Sequence, residues 1–213
     1  MPPLASAMRP LGTPAPSFDL PDVRGGRVQL DDLRDAQALL VVFMCNHCPF
    51  VKHIRAELGA LYRDHASRGL AMVGIASNDP VRYPQDAFDA MVLEAKDAGW
   101  SFAYLHDADQ TVALAYGATC TPDFFLFGPV GRDGRRPLVY RGQLDDSRPN
   151  NGIPVTGGDL RAAIDAVLRG GSPSPDQKPS IGCSIKWMPG RSPDELAAAS
   201  CGHERAASSP ENA

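Results

Sequence analysis

Between Phe18 and Arg169, short runs of β-branched and aromatic residues alternate with segments whose apolar residues recur every three or four positions. Ala38–Met44 is apolar at every position, the pattern of a strand covered on both faces of its sheet. Pro49 follows closely, and proline suits the first turn of a helix, where its missing N–H costs no hydrogen bond. The helix it opens carries Val51, Ile54, Leu58, Leu61 and Tyr62 on one stripe, with Lys52, Arg55 and Glu57 on other faces. Gly69 ends it. Leu70–Ala76 repeats the buried-strand pattern and stops at the polar turn Ser77-Asn78-Asp79-Pro80. A second amphipathic helix carries Phe88, Met91, Val92 and Ala95 and closes at Gly99.

Phe18–Leu20 and Val28–Leu30 predict a strand pair around the turn at Gly25-Gly26, and Phe102–Leu105 a further short strand. Asp109 caps a small helix that ends at Tyr116-Gly117. Asp123–Phe127 and Leu138–Arg141 predict two strands joined by the turn-rich stretch Gly128–Arg136. Leu160, Ile164, Val167 and Leu168 mark a last helix, with Thr156 and Asp159 as an approximate capping box. The order β-α-β-α-β-(α)-β-β-α predicts an α/β fold, one sheet with helices on both faces.

Length and composition bound the rest. A chain of 213 residues holds one domain with appendages or at most two small ones. The 20 glycines and 20 prolines concentrate in turns and tails. The expected division is a flexible N-terminus at 1–11, a domain at 12–169, a linker with a docked tail at 170–188, and disorder over 189–213. A net charge of -4 argues against nucleic acid as a partner. No apolar run approaches the ~18 residues of a membrane span. The proline-rich start does not resemble a secretory signal, and five cysteines are too few for a disulfide scaffold. The expected location is therefore the cytoplasm.

The chemistry lies in Cys45-Asn46-His47-Cys48-Pro49, at the seam between a buried strand and a helix. Two thiols three apart at a helix N-terminus close a small disulfide ring, and the unpaired N–H groups there favour a thiolate. Cys45, before the first turn, is the expected exposed nucleophile, and Cys48 the thiol that resolves the mixed disulfide. A protonated His47 inside the ring would favour the thiolate further. No carboxylate lies between Ala36 and Met44, so no buried acid is expected beside the pair. Cys120-Thr121-Pro122-Asp123 stands just before an apolar strand, where an X-Pro bond can be cis.

With these pieces the chain resembles the thioredoxin superfamily, in which a cis-proline loop faces the Cys-x-x-Cys pair. Cys45–Phe50, Thr119–Phe127, Leu144–Asn151 and Pro179–Trp187 are similar to the peroxiredoxin-like branch of the alkyl-hydroperoxide-reductase/thiol-specific-antioxidant (AhpC/TSA, redoxin) family. The resemblance implies a thioredoxin-like fold, a mixed sheet flanked by helices with a C-terminal extension. It implies a thiol–disulfide oxidoreductase in which Thr121 and Pro122 hold the substrate chain. Substrates would be protein or small-molecule disulfides or peroxides, and electrons would come from a thioredoxin- or glutathione-type donor, with no bound cofactor and no metal. A second reading is a thiol peroxidase with antioxidant activity. Aligned on Cys48, the peroxiredoxin signature Pro-x-x-x-Thr-x-x-Cys has Cys45 in place of its Thr and Val41 in place of its Pro. A third is a metal-binding assembly factor using Cys45, Cys48 and a histidine.

Cys120 and Cys183 are candidate accessory thiols, the latter flanked by Ile181, Ile185 and Trp187 that would let the tail dock. Cys201, in the expected disordered stretch, is incidental. His53 reads as a solvated helix residue, and Asp145-Asp146 as part of a polar turn.

Overall fold

A computed structural model of the chain describes residues 3–198. Five strands form the central sheet: β4 (Ala38–Phe43), β5 (Leu70–Ala76), β6 (Ala103–His106), β8 (Asp123–Phe127) and β9 (Leu138–Tyr140). Their order is β6-β5-β4-β8-β9, with β4, β5 and β6 parallel and β8 and β9 antiparallel to their neighbours. The sheet is therefore mixed, as expected.

The uniform apolarity of β4 has the cause its sequence suggested. Alternate side chains enter two separate cores: Ala38, Leu40 and Val42 on one face, Leu39, Val41 and Phe43 on the other. On the first face lie α1 (Pro49–Ala66), α2 (Phe88–Ala98) and α4 (Gly158–Leu168), through Leu58, Leu61, Met91, Leu160 and Ile164. On the second lie α3 (Thr111–Tyr116) and the hairpin of β2 (Asp19–Pro21) and β3 (Arg27–Gln29), through Phe18, Leu20, Val112 and Tyr116. Burial on both faces at ~25 cal/mol per Å2 of apolar surface makes β4 the strand that fixes everything attached to its end. What is attached is Cys45.

A second sheet sits at the edge of the site. β1 (Leu4–Ala5) pairs with β10 (Ile181–Ser184), and β10 pairs with β7 (Cys120–Thr121), all antiparallel. The expectation for the N-terminus changes here. The described part of the N-terminus, expected to be flexible, contributes a strand, and its Ser6 N–H bonds the Ser180 carbonyl at 2.9 Å. The tail expected after the linker is docked in a defined register. Residues 193–198 are helical, opened by Ser192, whose hydroxyl meets Glu195 at 2.6 Å. Residues beyond 198, Cys201 among them, lie outside the described part of the chain.

The last helix also differs in its cap. Its N-cap is Gly157, and Asp145 serves it instead of a Thr156–Asp159 box, accepting the Thr156 and Gly157 N–H groups at 2.7 Å each. Asp145 and Asp146 are thus a satisfied turn, the second bound to Lys178 at 2.8 Å. No helix among the described residues is long and apolar enough to cross a membrane.

Candidate active site

The chain leaves β4 at Phe43, continues one more ladder bond from Met44 N–H to the Ile75 carbonyl (2.9 Å), and turns into α1. Cys48 is the N-cap residue, extended at φ -65 and ψ 122, with Pro49 behind it. At such an end the N–H groups of the first turn have no partner within the helix. Opposite, the Thr121–Pro122 peptide bond is cis, and Thr121 meets both sulfurs. The Cys48 sulfur lies 3.1 Å from the Thr121 carbonyl oxygen, and the Cys45 sulfur lies 3.5 Å from the Thr121 hydroxyl. The structure thus brings Cys45, Cys48, Thr121 and Pro122 together as expected.

It does not place the charge where it was expected. Cys45 is only 2% exposed and Cys48 0%, so neither is an exposed nucleophile. The Cys48 thiol is pushed down to about 5, because the Cys45 thiol, the Thr121 hydroxyl and the Val51 and Cys183 backbone N–H groups together outweigh its burial. Cys45 is held well above its ordinary value, as the donor to Cys48, by burial, and by the nearby Asp86 carboxylate. Of the two sulfurs, Cys48 is the one whose surroundings favour the thiolate.

His47 also departs from its expected part. Its Nδ1 sits 2.5 Å from Asp86 Oδ2, and its ring stacks on Tyr83 with centroids 5.4 Å apart and planes 6° apart. The imidazole is thereby committed to Asp86 and bonds neither sulfur. Asp86 is the residue that sequence reasoning missed. It is 1% exposed and comes from the segment before α2, far from the stretch in which an acid was sought. Its Oδ1 accepts the Asn46 N–H at 2.9 Å and the His47 N–H at 3.3 Å, and its Oδ2 accepts Asn78 Nδ2 at 2.8 Å. Asn46 is held in turn by the Tyr104 hydroxyl (2.9 Å) and the Gln85 carbonyl (2.9 Å). One buried carboxylate therefore shapes the whole Cys45–Cys48 turn.

Ligand atoms of Cys45, His47 and Asp86 lie within 4.8 Å of one another, the spacing of a potential metal set. The two carboxylate oxygens, however, already accept from Asn46, His47 and Asn78, and a metal would have to break those bonds. His53 takes no part: its Nε2 meets Ser147 Oγ at 2.7 Å. Cys120 is buried, donates to the Pro122 carbonyl at 3.7 Å, and is pushed far up by burial, which describes a packed thiol.

Asp123, directly after Pro122, is 0% exposed, and burial pushes its carboxyl up to about 7. An acid whose folded pKa lies above its ordinary 3.8 is stabilising only while protonated, so stability is expected to fall as pH rises from about 4 to 7. Asp123→Asn removes this slope, read as the difference between variant and wild-type urea midpoints across that range.

The mixed sheet, flanking helices, cis-proline loop and facing cysteine pair define a thioredoxin-fold protein. Residues 11–132 match the AhpC/TSA family, and the chain belongs to it. Members of that family are oxidoreductases. No curated protein matches the chain. Among solved structures it is similar to an uncharacterized conserved protein from Geobacillus kaustophilus, at 52% identity and TM-score 0.84, covering 89% of this chain and 98% of that one. It is also similar to a hypothetical protein from Sinorhizobium meliloti 1021, at 50% identity and TM-score 0.83, covering 87% and 99%. A thiol:disulfide interchange protein of the thioredoxin family from Chlorobium tepidum TLS shares the fold at 21% identity and TM-score 0.53, covering 74% and 97%.

Proposed function

We propose that this protein is a thiol–disulfide oxidoreductase whose working couple is Cys45–Cys48. The observation that carries the reading is the two adjacent sulfurs at a helix N-terminus, both within reach of Thr121 beside the cis proline. In the reduced form the Cys48 thiolate attacks a substrate disulfide and expels one substrate thiolate. Cys45 then attacks the Cys48 sulfur of the mixed disulfide, releases the second substrate thiolate and closes the ring. His47 and Asp86 position this turn and do not enter the exchange. A thioredoxin- or glutathione-type donor returns the two electrons, in a reducing compartment such as the cytoplasm.

The test is the midpoint potential of the couple as a function of pH. With Cys48 ionised, reduction takes up one proton per two electrons. The potential then falls by about 30 mV per pH unit above pH 5 and by about 59 mV below it. A slope of about 59 mV from pH 5 to 8 would show that Cys48 is not ionised. A protein with no reversible couple would end the exchange reading.

One observation favours a second reading. Cys48, the sulfur whose surroundings favour the thiolate, takes the peroxidatic position of the family and is covered, so a small oxidant reaches it more easily than a protein disulfide. Hydrogen peroxide would transfer one oxygen to its thiolate, giving a sulfenate and a water, and Cys45 would then attack the sulfenic sulfur to form the disulfide and release a second water. Trapping a sulfenate at Cys48 in Cys45→Ser/Cys183→Ser, with turnover in the wild type, would establish this activity.

A further inference from the structure

We propose that Cys183 is a third redox thiol, delivered by the C-terminal strand, that competes with Cys45 for the disulfide to Cys48. This rests on the exchange reading of Cys45 and Cys48 and adds a resolving group from outside the motif.

The placement follows from register. β10 runs antiparallel to β7 with Cys183 opposite Thr121 and Ser184 opposite Cys120. Thr121 is the residue that touches the Cys48 and Cys45 sulfurs, at 3.1 and 3.5 Å. Cys183 therefore lands on the same spot from the tail side, packed against the core cluster that contains both motif cysteines. Cys48 and Cys183 lie close enough that each shifts the other's ionisation.

The strand is seated closely. A Cβ on Gly182 would lie 1.9 Å from the Thr121 carbonyl oxygen, so only glycine permits this approach. Ser180 Oγ donates to the Pro122 carbonyl at 2.6 Å, and Ile185 N–H to the Thr119 carbonyl at 3.2 Å. Cys183 is also only half-buried, whereas Cys45 and Cys48 are covered. It is the sulfur of the three nearest to solvent. In the reduced protein burial and Cys48 hold its thiol up to about 11, so it does not begin the chemistry. It enters once Cys48 is oxidised and carries no charge.

The step balances without an external oxidant. Cys183 gives its proton to water and attacks the Cys48 sulfur of the Cys45–Cys48 disulfide. The Cys48–Cys183 bond forms, the bond to Cys45 breaks, and Cys45 leaves as a thiolate that takes up a proton. On a mixed disulfide between Cys48 and a substrate, the same attack expels the substrate thiolate. The product staples β10 onto the N-terminus of α1.

The experiment oxidises the reduced full chain with one equivalent of dithiodipyridine, blocks free thiols with N-ethylmaleimide, and maps tryptic peptides by mass. Cys45 and Cys48 share the peptide 35–52, and Cys183 lies in 170–186, since trypsin spares the Lys178-Pro179 bond. The wild type is expected to yield both an internally bridged 35–52 and a cross-linked 35–52/170–186 pair. Cys45→Ser makes the cross-link the main product, and Cys183→Ser leaves only the internal bridge. Gly182→Ala reduces the cross-link several-fold while the internal bridge still forms. The proposal is overturned if Cys45→Ser, with an unchanged melting profile, stalls as a thiopyridyl adduct of Cys48 and the wild type shows no cross-link. A wild type lacking the internal bridge would instead refute the exchange reading, while a cross-link in Cys45→Ser would still uphold Cys183.

Discussion

Cys48→Ser is expected to remove the thiolate from this protein at neutral pH and, with it, disulfide exchange. The wild-type ultraviolet thiolate band should titrate with a midpoint near 5, the value to which the donors around Cys48 push its thiol. In the variant the remaining motif sulfur is Cys45, which burial and the Asp86 carboxylate still hold above its ordinary range. With a pKa at or above that range, its thiolate population at pH 7 falls roughly a hundredfold or more below that of Cys48. Cys45→Ser should leave the low-pH band in place, because a serine hydroxyl can still donate to the Cys48 sulfur, while mixed disulfides then resolve only through Cys183. A band near pH 5 that survives in Cys48→Ser and disappears in Cys45→Ser would reverse the two roles. The same titration governs stability. Cys48 has a folded pKa below its ordinary 9.0, so the reduced form gains stability that is complete above about 9. That gain is lost as pH falls through 5, and the oxidised form, which has no such proton, shows none of it.

Asp86→Ala is expected to cost about 3–5 kcal/mol, the range for removing one partner of a buried charged network. The variant leaves the Asn46 and His47 N–H groups, Asn78 Nδ2 and the His47 ring without their acceptor at a site that is closed to water. For a chain of this size that corresponds to a fall in Tm on the order of 10 °C. Asp86→Asn separates charge from shape: it keeps the side-chain volume and one acceptor, so it should lose less stability. It also removes the negative charge facing Cys45, so the Cys45 pKa should drop. Denaturant unfolding reads the first effect and cysteine-specific alkylation in a Cys48→Ser background reads the second. Equal stability loss in both variants would mean that the carboxylate's charge matters more than its geometry.

Much of the frame is local and was therefore legible. β4 and β5 are apolar at nearly every position because each face meets a different core, and α1 follows because Pro49 and the three–four spacing after it leave little else for that segment to do. The strand-to-helix seam places Cys45 and Cys48 together, and Thr121-Pro122 before an apolar strand marks the facing loop. Burial and charge are different in kind. The ionisation of two cysteines three residues apart depends on which donors reach each sulfur: for Cys48, Cys45 and Val51 are near in the chain, but Thr121 and Cys183 are far away. Asp86 was missed because a search along the strand leading into the motif does not reach a residue 40 positions further on. A signal was available: an acid just before an amphipathic helix, in the segment after the Asn78 turn at a strand's carboxyl end, where open α/β sheets gather their sites.

The order of side chains along the chain determined that this protein folds as an α/β sheet with helices on both faces and two cysteines three apart at a helix N-terminus, since periodicity and capping act over a few residues. Tertiary structure alone decided which sulfur carries the negative charge, which carboxylate holds the turn, and that a distant strand brings another thiol against them. The physical reason is that a buried group's ionisation is set by every donor, charge and missing water within a few ångströms of it, and folding, not sequence distance, chooses those neighbours.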